Sequence, residues 1–280
     1  MSRLTLPLVA VIAALAGGLA TSIYTQTEPG LDATEVRAIV SDMLTENDAP
    51  MSVAEVDAAT LHPMIESYLI SNPRILERVS AALQTEIRKE DAVKARTAIA
   101  SMQDQIYNNP DEIVLGNPDG DVTLVEMFDY NCSYCRSAMP DMAELLDSDP
   151  NLKIILKEFP ILSQESVEAA RIALAAHKAG IDYWTFHSTL FTSRGKITKE
   201  SALDAAEAQG LSRVSLELDA QSEEINEIIQ RSYEIAQAVG TTGTPTYILG
   251  DEVIPGAIGL EALKERIANL RACGSTICDG

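Results

Sequence analysis

Residues 121–135 read DVTLVEMFDYNCSYC. The apolar run from Val122 to Phe128 has the composition of a buried strand. Asp129 to Asn131 make a short loop, and a helix is predicted to begin near Cys132. A cysteine at a helix start meets unpaired backbone N–H groups and the positive end of the macrodipole, and both stabilise a thiolate. Cys135, one turn further in, is placed to be a buried resolving thiol. Such a pair can exchange with a disulfide through a mixed disulfide that the second cysteine resolves.

Beyond this stretch, a chain of 280 residues with 46% hydrophobic content is long enough for one large domain or two modest ones. Its 42 acidic and 21 basic residues give a formal net charge of -21, which repels phosphate backbones and argues against nucleic acid as a partner. Residues 1–20, MSRLTLPLVAVIAALAGGLA, hold one arginine, Arg3, ahead of an apolar stretch, the pattern of an export signal. A cleaved signal peptide and a retained inner-membrane anchor are both compatible with it. Export to the periplasm is expected either way. In an oxidising compartment the four cysteines fall into two local pairs, Cys132 with Cys135 and Cys273 with Cys278, so both are expected as disulfides at rest.

Residues 31–107 read as helical. Val36, Ile39, Val40, Met43 and Leu44 recur at helical spacing, a second helix is predicted over Val53 to Leu61, and a short helix is followed by a long one. Asn72 is a candidate cap for the long helix, with Pro73 at its first position. Along it, Leu76, Val79, Leu83 and Ile87 make one apolar stripe and Ala95, Ile99, Met102 and Ile106 another, either side of the charged residues 88–91. Three such helices make a thin core, so the stripes need another surface, either this chain's other domain or a second copy; self-association is the favoured reading. After the breaker-rich NNPDEIVLGNPDGD, strands are predicted at Val122 to Phe128 and Leu152 to Glu158, a helical stretch at about 163–240, a hairpin from TYILG and EVIPG, and a last amphipathic helix. That order is α/β.

Other readings of the cysteines fit less well. Zinc needs two more ligands, and the second pair and the three histidines are far from Cys132 in sequence, so neither metal nor cofactor is expected. An inert bridge is a poor use of so tight a loop. A rival of another class is a Cu(I)-binding protein using the reduced Cys132 and Cys135 thiolates, with Met127 and Met139 flanking them.

VEMFDYNCSYC together with GTTGTPTYILG resembles the DsbA family of exported thiol-disulfide oxidoreductases over residues 112–275. The resemblance implies a thioredoxin fold with an inserted helical subdomain, here preceded by an all-helical N-terminal segment. It also implies a cis Pro245 beside the cysteines, with Thr244 exposing backbone to substrate and with Ser133 and Tyr134 between the cysteines also facing it. Glu126 matches a buried acid of the family, a proton acceptor for Cys135; an edge-strand surface acid is the plainer reading of the residue alone. Ser133 and Tyr134 stand where strong oxidants of the family carry Pro and His, so the resemblance does not fix the redox potential.

IESYLISNPRILERVSAAL, within the N-terminal helices, resembles the ScsC-like, suppressor-of-copper-sensitivity subgroup, in which such helices build a dimer or trimer. That resemblance implies a homo-oligomer, a membrane redox partner, and exported proteins bearing thiols or disulfides as substrates. A Cys273 to Cys278 bridge would close a loop of about six residues and contribute roughly 2 kcal/mol at most. It is expected as a structural clip ahead of a 276–280 tail; relaying electrons to the first pair is the sharper alternative. Disulfide oxidase, reductase and isomerase all remain open.

Overall fold

The computed structural model describes residues 58–278. The 1–20 segment, the helix expected around Val36 to Leu44 and the first residues of the one expected from Val53 lie outside them. The described chain forms two units that divide at Pro73. The first holds α1 (Ala58–Ser71), which runs through Leu61 and Pro63, where the sequence suggested two separate helices. Leu61, Met64, Ile65, Tyr68 and Ile70 are all exposed on it. Asn72 does not act as the expected cap: its side-chain amide donates back to the Tyr68 carbonyl at 2.9 Å.

The second unit begins with α2 (Arg74–Ser101) and the short α3 (Gln103–Tyr107), then β1 (Ile113–Gly116), β2 (Val122–Phe128), α4 (Ser133–Ser148) and β3 (Leu152–Glu158). The insert follows as α5 (Gln164–Lys178), α6 (Tyr183–Thr192), α7 (Lys199–Glu207), α8 (Arg213–Asp219) and α9 (Glu223–Val239). The hairpin β4 (Thr246–Leu249) and β5 (Glu252–Pro255) and the helix α10 (Leu260–Cys273) complete it. The sheet order is β1-β3-β2-β4-β5. β2 and β3 are parallel; β1 against β3, β4 against β2 and β5 against β4 are antiparallel. This is the thioredoxin-like α/β fold with a helical insert.

The side-chain alternation of β2 divides the core. Leu124 and Phe128 face the cluster that includes Cys132, Cys135, Tyr247 and the insert. Val125 and Met127 face the opposite layer, with Ile155, Ile248, Ile235 and Val239. Ile99 and Ile106 belong to that second layer, so the end of the N-terminal helical segment is part of this domain's core. The dividing line therefore runs at Pro73, earlier than the 107/112 junction expected from composition. Lys157, buried on β3, reinforces the join: it pairs with Glu112 and donates to the Gln105 carbonyl at 3.1 Å. The earlier stripe behaves differently, because Leu76, Val79, Leu83 and Ile87 are exposed.

β1 was not anticipated. It is a four-residue edge strand whose Gly116 has φ +72, and a Cβ there would lie 2.5 Å from the Leu152 carbonyl oxygen, so the turn out of β1 requires glycine. Gly240, at φ +77, ends α9 in the left-handed conformation and turns the chain toward Thr244 and Pro245.

Candidate active site

β2 delivers its C-terminal end to Cys132, the N-cap of α4, with φ −79 and ψ 119. In that extended conformation the sulfur turns back over the first turn, and the Cys135 N–H donates to Cys132 Sγ at 3.4 Å. The Cys132 thiol donates to the Thr244 carbonyl at 3.1 Å, across the cis Thr244–Pro245 bond. Thr244 Oγ1 is buried with no hydrogen-bond partner. Ser133 and Tyr134 are exposed, whereas Cys132, Cys135 and Pro245 are buried. Cys132, Cys135, Thr244 and Pro245 thus come together from sequence positions more than 100 residues apart.

The electrostatics of the two thiols diverge. The Cys135 thiol hydrogen bond is the largest influence on Cys132; against the cost of burial, it and the N–H groups of Cys135 and Tyr134 bring Cys132 down to about 5. Burial first, then the hydrogen bond its thiol donates to Cys132 and the Glu126 charge, push Cys135 far above the ordinary thiol range. Glu126 shares the face of Leu124 and Phe128 on the central strand and is 3% exposed, which excludes the surface-acid reading. Burial, and then the negative charge of Cys132, push its carboxyl up to about 8.

Cys132 and Cys135 are free thiols, the reduced form of the couple, in place of the disulfide expected at rest. A redox pair occupies either state, and local spacing alone does not say which. Cys273 and Cys278 are joined by a disulfide. It follows α10, where Arg271 pairs with Asp121 before β2 and with Asp149 before β3. The bridge therefore sits at the end of the sheet away from Cys132, roughly 20 Å off along a seven-residue strand, and direct electron relay within one chain is excluded by distance. Met127, considered above as a thioether near the thiolates, points into the other layer of the core. That removes one of the two methionines on which a copper site there would draw.

Sequence reasoning missed the residues that hold the loop. Buried Asp129 accepts from the N–H groups of Asn131, Ile161 and Leu162 at 2.7, 2.9 and 3.0 Å. Asn131 bonds to Ile197 and Ser166, and Arg136 donates to the carbonyls of Phe191 and Ser193. Tyr130 OH lies 3.0 Å from Tyr183 OH and 3.2 Å from His187 Nδ1, and Tyr183 donates to Glu158 at 3.0 Å. The motif DYN was visible, but its partners lie 32 to 66 residues downstream, in the loop after β3 and in the insert, beyond any local pattern.

Comparison with known proteins agrees with this geometry. The chain is 40% identical to a thioredoxin-like oxidoreductase from Silicibacter pomeroyi, with a TM-score of 0.59 over 61% of this chain and 98% of that one. ScsC of Proteus mirabilis, in a compact conformation, is 28% identical, with a TM-score of 0.57 over 76% of this chain and 97% of that one. A curated relative, the Na(+)/H(+) antiporter NhaA 1 of Salinispora arenicola, is 27% identical over 164 residues, 56% of this chain. The match spans about a quarter, 24%, of the antiporter's length. The profile of the DSBA-like thioredoxin domain matches residues 123–268, just over half the chain, and carries both cysteines and Pro245. The chain belongs to the family of DSBA-like thioredoxin domains.

Proposed function

We propose that this chain is an exported thiol-disulfide oxidoreductase with Cys132 as nucleophile and Cys135 as resolving thiol. The observation that carries the reading is a thiol held near pKa 5 at the head of α4, beside a buried thiol and the Thr244–Pro245 loop. The Cys132 thiolate attacks a sulfur of the substrate disulfide and expels the other sulfur as a thiolate, leaving a mixed disulfide. Cys135 then loses its proton and attacks Cys132 Sγ. The Cys132–Cys135 disulfide forms, the second substrate thiolate leaves, and two electrons have passed from the dithiol to the substrate. The reverse sequence oxidises a substrate dithiol.

Glu126 takes the Cys135 proton. Burial does most to hold the Glu126 carboxyl up, and the Cys132 charge adds to it; once Cys132 is tied up in the mixed disulfide that added charge is gone, so the acid is better able to ionise at the moment a base is needed. Exposed Ser133 and Tyr134 and the backbone of Thr244 beside Pro245 receive the substrate segment. The substrates are exported proteins bearing thiols or disulfides. Periplasmic location follows from the export-like 1–20 segment, and the Cys273–Cys278 bridge suits an oxidising compartment.

The ScsC-like reading places the protein among homo-oligomers, a dimer or trimer, kept reduced by a membrane partner and acting as reductase or isomerase. Support comes from the ScsC likeness and from the uncovered apolar residues of α1 and α2. The test is a Cys135→Ala variant with disulfide-bearing exported proteins, together with the reduction potential of the wild-type pair against glutathione. Mixed disulfides accumulating through Cys132 are expected, with an intermediate or low potential. A variant that traps nothing overturns exchange chemistry. A strongly oxidising potential on a monomer retains exchange but makes the protein a dithiol oxidase.

A further inference from the structure

Asn131, the residue directly before Cys132, uses both polar groups of its side chain on the helical insert. Its Oδ1 accepts from the Ile197 N–H at 2.8 Å, and its Nδ2 donates to the Ile197 carbonyl at 2.9 Å and to Ser166 Oγ at 3.1 Å. The carboxamide thus bonds the Ile197 peptide in both directions, much as one strand bonds its neighbour. Ile197 is fully buried in the α6 to α7 connection, and Ser166 is buried in the first turn of α5, where Ser163 is the N-cap. Both anchors are therefore fixed by packing.

On the backbone, Asp129 holds both sides of Asn131: its Oδ1 accepts from the Asn131 N–H, and its carbonyl accepts from the Cys132 N–H at 2.9 Å, while the Cys132 carbonyl accepts from the Arg136 N–H at 3.1 Å. The direction in which Cys132 leaves this turn decides whether its sulfur lies over the open N–H groups of α4. Ser133 and Tyr134, by contrast, are exposed. The geometry assigns Asn131 the role of a positioning residue: by clamping the chain to Ile197 and Ser166, it lets the helical insert hold the Cys132 sulfur against the start of α4 and so set how stable the thiolate is.

Asn131 does not touch the sulfur, so its effect runs through the position of Cys132. The titratable groups whose charges couple to Cys132 are Glu126 on β2, Cys135 on α4 and Tyr247 on β4. Replacing Asn131 by alanine changes none of them. The inference rests on the thiol-exchange reading, and its test is read from the titration of a thiol, independently of turnover.

The experiment is thiolate absorbance near 240 nm against pH on the reduced full chain, for wild type, Asn131→Ala and Ser166→Ala, with thermal unfolding followed in parallel. For Asn131→Ala the acid dissociation constant of Cys132 is expected to fall about tenfold, a shift of about one pH unit upward. The glutathione equilibrium should move toward the disulfide, because a less stable thiolate means a less stable reduced form. Ser166→Ala removes one anchor away from the sulfur and should give a smaller shift in the same direction. It carries the test if Asn131→Ala does not fold. Lower unfolding midpoints with an unmoved thiolate would mean a structural bond only and overturn the inference. A wild-type thiol titrating near its ordinary value would instead overturn the exchange reading beneath it.

Discussion

Cys132 and Glu126 respond to pH in opposite senses. The folded-state pKa of Cys132 is depressed from 9.0 to about 5, so its contribution to the stability of the reduced protein is complete above about pH 9 and is lost as pH falls through 5. Glu126 is raised from 4.5 to about 8, so its ionisation costs stability as pH rises through that value. In denaturant titrations of reduced protein, the stability advantage of wild type over Cys132→Ser should therefore grow between pH 5 and pH 9; a constant difference would refute the depressed thiol. Glu126→Gln keeps shape but cannot accept a proton. It should leave formation of the mixed disulfide intact and slow its resolution by Cys135 about 100-fold at neutral pH, as read by stopped-flow mixing with a substrate disulfide. At this scale the two cysteines, Thr244 and Pro245 were legible because a CxxC and a TP pair are local patterns. The buried state of Glu126 was legible only through resemblance, since one acid in an apolar run reads equally as an edge residue.

Helix α2 is one continuous element with two fates. Its final turns give Ala95 and Ile99 to the core, while Leu76, Val79, Leu83 and Ile87 stay exposed. Ile99→Ala should cost about 2 to 4 kcal/mol of unfolding free energy. Leu83→Ala, measured on dilute protein, should cost less than about 0.5 kcal/mol, as surface changes do. The periodicity of both stripes was plain in the sequence, but periodicity says only that a face is apolar, and tertiary packing decides what covers it. The same limit hid β1: IVLG is too short to show alternation and takes its strand conformation from pairing with β3. By contrast β2 and β3, seven residues each with a run of β-forming apolar side chains and bounded by turn formers, could be read directly to their ends.

For the molecule as a whole, the uncovered stripe and the overall acidity pull in different directions. The chain carries 42 acidic against 21 basic residues, yet α2 holds six basic and four acidic ones, so association through this helix would not be opposed by like charge as it would elsewhere. If self-association uses the stripe, a Leu76→Asp, Leu83→Asp double variant should sediment as a monomer while its Cys132 titration stays where wild type has it. An unchanged mass would show that these positions do not hold copies together. Fold class and the CxxC pair could be read from the chain because both rest on short-range patterns; the division at Pro73 could not, because it depends on Ile99 and Ile106 meeting residues more than 100 positions later.

The Cys273–Cys278 bridge and the Arg271 ion pairs give the molecule a chemically quiet pole opposite its thiols. A capture tag joined beyond residue 278 would hold the protein on a biosensor chip with the exposed Ser133 and Tyr134, next to Cys132, turned toward the flowing solution. Covalent loading by passing substrates could then be weighed in real time, without a spacer arm and without shielding the face that reacts.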